Sequence, residues 1–230
     1  MKALQTDTSS YSIPPALTKR SQQKRALILS AAIRYFAEHG YEAARVGDMA
    51  AELGIAKGSV FQHFGSKDGL FLEAYKESVT QFPGYLEVPD EVKAAGFFAI
   101  LRHRLENATR LREQHEVRYK VMLLGNYGSD MQIKKRISRF LRQEDPLQIK
   151  SLVQMGLDRG ELRRDVDPEL IASIVESTVE RFQDSLTMAD AHPELFHSAN
   201  GNGKAHPQRI DEFITVLRGA IGGVPAAKAS

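Results

Sequence analysis

The chain has 230 residues, long enough for a small domain plus a larger one, and its 31 Lys/Arg against 29 Asp/Glu leave a formal net charge of only +2. It has no Cys, which excludes disulfides, thiolate metal sites and cysteine nucleophiles. No uninterrupted apolar run approaches the roughly 18 residues that a membrane span needs.

Residues 1–19 have too weak an apolar stretch for a signal peptide, and Pro14-Pro15 breaks any helix there. They are expected to form a flexible arm of a cytoplasmic protein. Residues 22–39 read as an amphipathic helix, with Leu29, Ala32, Ile33 and Phe36 at i, i+3, i+4 and i+7 and Gly40 just past its end. Val46, Met49, Ala50 and Leu53 repeat the helical spacing and stop at Gly54; Ile55, Val60, Phe61 and Phe64 restart it at once. Two short helices joined by so tight a turn must cross steeply, with Gly54 supplying the positive φ. That is helix-turn-helix geometry, whose second helix projects into a DNA major groove. Ser66 is the N-cap of a further helix, Lys67 to Phe82, carrying Leu70, Phe71, Ala74 and Tyr75.

Pro83-Gly84 and Pro89 punctuate a short connection, and the chain beyond it reads as helical. Asp90-Glu91 opens a helix with Phe97, Leu101, Leu105 and Ala108 on one side. A second runs from about Glu116 to Leu124 and ends at Gly125-Asn126. A third carries Ile133, Ile137, Phe140 and Leu141 and ends near Asp145-Pro146, where Asp145 reads as N-cap and Pro146 as first residue of the next helix, which stops at Gly160. Asp167-Pro168-Glu169 repeats that start signal before a long helix with Ile171, Val175, Val179, Phe182 and Leu186. A short helical turn at Pro193–Phe196 and a loop at 199–204 precede a last helix, about Pro207 to Gly222, with Ile210, Phe213, Ile214 and Leu217. The tail should fray.

Charge is unevenly distributed. Residues 18–67 hold eight Lys/Arg against four acids, whereas residues 83–230 hold 21 of each. The positive excess sits on the segment that carries the helix-turn-helix.

From near Lys24 to about Phe82 the chain resembles the N-terminal domain of TetR-family transcriptional repressors, over roughly a quarter of its length and without a gap. The resemblance rests on Ala31-Ala32, Phe36-Ala37-Glu38-His39-Gly40-Tyr41, Asp48-Met49-Ala50, Gly54-Ile55-Ala56-Lys57-Gly58-Ser59-Val60-Phe61 and His63-Phe64-Gly65-Ser66-Lys67. It implies an all-α fold: an N-terminal three-helix helix-turn-helix DNA-binding domain plus a larger C-terminal helical domain of about nine helices for ligand binding and dimerisation. The expected boundaries are an arm at 1–19, the DNA-binding domain at 20–82 with its motif at 45–64, the regulatory domain at 83–224 and a tail at 225–230.

The resemblance places a recognition helix from Ala56-Lys57 to His63. Lys57 would meet a guanine edge or a phosphate, Gly58 would let the backbone approach the groove, Ser59 would reach a base or phosphate, and Gln62 suits an adenine edge. His63 and Lys67 match positions that hold phosphates, while Val60 and Phe64 face inward. Three residues depart from the family pattern. Phe61 replaces a Tyr, Arg45 replaces a capping Thr at the start of the second helix, and Gly47 replaces a longer polar residue.

A homodimer through the last two long helices is implied, using Ile171, Val175, Val179, Phe182, Ile210, Phe213, Ile214 and Leu217. So is a pocket for a small-molecule effector. Phe97, Phe98, Leu101, Tyr119, Met122, Leu123, Tyr127, Met131, Phe140 and Met155 are suited to lining it, with Arg102, Arg104, Arg118 and Glu180 as polar anchors. The helix from Lys67 to Phe82 is the expected lever between the domains. The partners implied are an operator in double-stranded DNA, a second copy of the chain and an effector; no cofactor, metal or membrane is implied.

An enzyme is the competing class. The seven His form no metal or nucleophile constellation; His192-x4-His197 comes nearest, in a Pro-containing turn. There is no Gly-rich phosphate loop and no Gly-x-Ser-x-Gly. The chain therefore reads as a ligand-responsive DNA-binding repressor, with an activator of the same fold or a helical adaptor as alternatives.

Overall fold

The computed structural model describes residues 18–81, 87–187 and 206–223. Among these residues there is no strand beyond one bridge between Leu162 and Gly222. The first helix, α1 (Lys19–Ala43), is longer than its apolar pattern predicts, with Thr18 accepting a hydrogen bond from the Ser21 N–H at 3.3 Å. It leaves helical geometry at Gly40 (φ 73°), where the sequence marks its end. Then come α2 (Val46–Glu52), α3 (Lys57–Phe64) and α4 (Lys67–Thr80). The turn between α2 and α3 closes on Gly54 at φ 66°: the Ile55 N–H bonds the Ala50 carbonyl at 2.9 Å and the Gly54 N–H bonds Ala51 at 3.0 Å. This pair of bonds satisfies carbonyls that the end of α2 leaves open, and it needs a left-handed residue. Ile28, Phe36, Met49, Val60, Leu70 and Phe71 are buried among these four helices. Phe71 stands edge-on to Phe36 at 5.1 Å and to Tyr41 at 5.0 Å.

Seven further helices complete the described residues: α5 (Asp90–Ala95), α6 (Phe97–Gln114), α7 (Glu116–Tyr127), α8 (Met131–Glu144), α9 (Ile149–Asp158), α10 (Pro168–Thr187) and α11 (His206–Ile221). The turn at 193–196, the loop at 199–204, the N-terminal arm up to residue 17 and the tail from residue 224 lie outside the described residues.

Three boundaries differ from the sequence pattern. The helix expected from Asp90 through Ala108 is two helices, broken at Gly96 with φ 100°. The Glu161 carboxylate accepts the Phe97 N–H at 2.7 Å, and a Cβ at Gly96 would collide with its Oε1. A distant acid thus starts α6, which no local pattern announces. Second, α7 continues through Gly125 instead of ending there. That glycine is a packing site: a Cβ would collide with the Tyr75 ring and lie 2.8 Å from Ile137 Cδ1. Third, α9 starts at Ile149 behind Gln148, so Pro146 is not its first residue and Asp145, which ends α8, is not its N-cap residue. Asp145 sits at φ 41° and its carboxylate reaches forward to the N–H groups of Ile149 (2.7 Å), Lys150 and Ser151. Asp167 caps α10 as expected, through the Glu169 N–H at 2.8 Å.

Two cores result. One holds α1 to α4 together with Val121 of α7 and Ile133, Ile137 and Phe140 of α8. The other joins α6, α9, α10 and α11. The packing therefore runs across the expected boundary at residue 82, with α7 seated on both α1 and α4. Gly125→Ala should lower stability by about 1–3 kcal/mol through overpacking against Tyr75. Urea unfolding checks this; an unchanged midpoint would mean that α7 can back away from α4 at no cost.

Candidate nucleic-acid interface and cavity

Val60 and Phe64 anchor the inner side of α3 in the first core, as expected. That orientation turns Lys57, Gly58 and Gln62 to solvent; Ser59, Phe61 and His63 are half-buried along the edge of the helix. The Lys57 stem runs over Gly47, whose added Cβ would lie 3.8 Å from Lys57 Cδ, and its ammonium stands 5.6 Å from the Phe61 ring centre. Two of the departures from the family pattern thus meet at one site: the Lys57 chain passes beside Gly47, and Phe61 gives its charge a ring face. Arg45, the third, is exposed and makes no capping bond. No atom lies near enough to Gly58 to touch an added Cβ.

The frame behind α3 is tied by polar contacts. Ser66 accepts the Gly69 N–H at 3.0 Å to start α4. Lys67 donates to the Glu42 carbonyl at 3.1 Å and lies 4.7 Å over the Tyr41 ring, while the Tyr41 hydroxyl donates to Asp68 at 2.7 Å. Lys67 therefore also clamps the end of α1 to the start of α4. Arg25 pairs with Glu73 at 2.5 Å and covers the Phe64 ring at 5.0 Å. Burial acts to raise the Glu73 carboxyl, but Lys76 and Arg25 overcome it and hold it below its ordinary range.

Above this frame, α4, α7 and α10 flank a cavity of about 50 Å³ that opens to solvent. Tyr119, Met122 and Leu123 line it, as expected. The other proposed lining residues do not. Phe97, Phe98 and Leu101 are spent in the second core, and Phe140 in the first. Met155 packs against the second core, and Met131 is 60 % exposed on the surface. Tyr127, 43 % exposed, only reaches the site by donating its hydroxyl to Asp184 at 2.5 Å. Of the four proposed anchors, Glu180 alone lines the cavity. Arg102 pairs with Asp211 and Glu106, Arg104 bonds the Leu147 carbonyl at 2.9 Å, and Arg118 bonds the Glu77 carbonyl at 3.1 Å.

Sequence reasoning missed Glu176, Gln183 and Asp184, which line the same wall, and Asn126 and Tyr75 opposite. The signal was present: Glu176, Glu180 and Asp184 recur every four residues along one side of the helix. Asp184 accepts the hydroxyls of Tyr119 and Tyr127, each at 2.5 Å. Tyr75 donates to Asn126 at 2.8 Å, and the Asn126 amide donates to Glu180. Burial, with the neighbouring charges of Asp184 and Glu176, pushes the Glu180 carboxyl from its ordinary 4.5 to about 7, against the pull of Asn126 and Arg181. Glu176 is raised too, first by burial and then by Asp145, with Arg142 and Lys150 opposing.

Comparison with known proteins agrees with this architecture. Residues 28–74 match the family of bacterial regulatory proteins of the tetR type. The chain is 26 % identical over 171 residues to the transcriptional repressor AcnR of Corynebacterium glutamicum, covering 69 % of this chain and 79 % of that one. It is 22 % identical over 182 residues to the fatty acid metabolism regulator protein of Bacillus subtilis, covering 79 % and 93 %. The chain is a TetR-family transcriptional regulator. The fold of this TetR-family chain is also that of the regulator FadR from Bacillus subtilis, solved with stearoyl-CoA: TM-score 0.61 at 19 % identity, over 84 % of this chain and 96 % of that one. The helix-turn-helix and the larger helical part thus stand in the order that a TetR-family regulator has. Among the described residues no helix could cross a membrane and no cluster of His, Asp and Glu could hold a metal; His192 and His197 lie outside those residues.

Between pH 4.5 and 7 folded Glu180 binds more proton than it does unfolded, so its contribution to stability falls as pH rises through that window. Glu180→Gln should therefore gain stability relative to the parent at pH 8 and much less at pH 5. Thermal unfolding at the two pH values measures this; an equal difference at both would remove the assigned titration.

Proposed function

We propose that this protein is a ligand-responsive repressor that binds a pseudo-palindromic operator as a homodimer in the cytoplasm and is released from it by a small molecule in the α4–α7–α10 cavity. The observation that carries the reading is the seating of α3: its inner face is locked by Val60 and Phe64, and its outer side, with Lys57, Gly58 and Gln62, is open to a partner. A helix so mounted fits the major groove, with exposed Arg45, Lys24 and Arg34 adding charge for phosphates. The names of the relatives support repression, since AcnR is described as a transcriptional repressor.

The dimer surface differs from the one the sequence suggests. Ile171, Val175, Val179, Ile210, Ile214 and Leu217 are sealed in the chain's own second core, and Phe182 and Phe213 stack on each other at 4.2 Å. The faces of α10 and α11 left for a partner carry Leu170 and Val216, 54 % and 72 % exposed. An isologous contact there would set two copies of α3 on half-sites about 34 Å, or a multiple, apart.

Release depends on the link between cavity and α4. Tyr75 belongs to the first core, lines the cavity and reaches Glu180 of α10 through Asn126 of α7. A ligand that binds more tightly when these helices are spread shifts the population away from the DNA-competent arrangement, by its differential affinity and no more.

Selection of bound DNA from a random pool, followed by gel-shift titration, tests the reading. Lys57→Ala and Gln62→Ala should change sequence preference, whereas Lys67→Ala should weaken all sites alike and reduce the salt slope by about one. If none of the three altered binding, α3 would not be the recognition helix. Val216→Glu should yield monomers in sedimentation and weaken operator binding with them; a dimer that persists unchanged would move the interface elsewhere.

A further inference from the structure

The cavity between α4, α7 and α10 has a one-sided electrostatic character. Its floor and opposite wall are apolar, with Val79, Met122, Leu123, Leu141, Leu147 and Ile149. Along α10 three carboxylates line it one turn apart, Glu176, Glu180 and Asp184, and among the described residues no Lys, Arg or His lines it. Neighbouring cations sit outside: Arg181 stacks on Tyr127 at 5.2 Å, and Arg142 and Lys150 approach Glu176 from an adjoining surface hollow. Asp184 accepts two phenol hydroxyls. Glu180 accepts from the Asn126 amide, a neutral donor.

Several carboxylates in a poorly hydrated, apolar space raise one another's energy. An entering anion adds to that repulsion, a neutral apolar molecule leaves it, and a cation removes it. We propose that the effector is a lipophilic cation, an amine or quaternary onium carried on an apolar or aromatic body, with its charge held between Glu176 and Glu180 and its body against Met122 and Leu147. This inference rests on the ligand-responsive reading above and gives the chemical class of that ligand. It also separates this chain from the Bacillus subtilis regulator solved with stearoyl-CoA, a polyanion. A cation at Glu180 competes with the Asn126 amide for the same carboxylate, and Asn126 holds Tyr75 of α4. The charge of the ligand is thereby read at the helix that supports α3.

Tetraphenylphosphonium and tetraphenylborate, nearly equal in size and opposite in charge, provide the test, with stearoyl-CoA as a third probe. Full-length protein is titrated calorimetrically with each, and release of selected operator DNA is followed in parallel. The phosphonium is expected to bind at least about tenfold more tightly than the borate, to release the DNA, and to lose most of that preference in Glu180→Gln and in Glu176→Gln, each checked for folding by circular dichroism. Tighter binding of borate or stearoyl-CoA with DNA release would overturn the cation assignment and leave the ligand-responsive repressor standing. Equal affinities, or a preference that survives both substitutions, would overturn the assignment as well. If no probe bound or released DNA, the cavity would lose its role as an effector site along with the assignment.

Discussion

The contact on which the rest of the molecule depends is the one between the Tyr75 ring and the backbone of α7 at Gly125. With no Cβ on α7 at that point, the ring lies flush against the helix, and an added methyl would collide with it. The ring is therefore part of the core that fixes α3, while its hydroxyl reaches Asn126 at the edge of the cavity. A large side chain with a polar tip can serve both environments at once, because burial of the ring and satisfaction of the hydroxyl are independent requirements. Close-packed interiors move between discrete arrangements instead of deforming smoothly, and Tyr75 belongs both to that interior and to the cavity wall.

The two ends of that connection have opposite electrostatics. Around α3 the surface carries the excess of basic residues; Glu73 is paired with Arg25 and Lys76, and Asp68 accepts the Tyr41 hydroxyl. Along the cavity the acids of α10 follow one another at one-turn spacing; Asp184 accepts phenol hydroxyls and Glu180 accepts from the Asn126 amide. The paired Glu73 is held below its ordinary range and Glu180 is pushed up, the same physics acting with opposite sign. The basic surface around α3 and the acidic wall of the cavity thus stand apart, with α4 joining them.

Much of this was legible from local chemistry. Gly54, Ser66 and Asp167 act where the pattern puts them, since a positive φ or a capping oxygen concerns only residues within a turn of it. The inward face of α3 comes from Val60 and Phe64 for the same reason. Gly96 and Gly125 were not legible in kind. One marks a helix break capped by Glu161 from far along the chain; the other is a crossing point inside a helix.

The sequence by itself determined most of the helices, their order, the helix-turn-helix and the charge excess beside it, because helical period and turn stereochemistry are encoded within a few residues. Which apolar side chains line the cavity and which fill the core was decided only by tertiary structure. Phe97 and Met122 carry the same hydrophobic signal, yet one is sealed among α6, α9, α10 and α11 and the other faces empty space. Hydrophobicity records that a side chain leaves water, and only the crossing of helices distant in sequence settles whether it meets protein or a void.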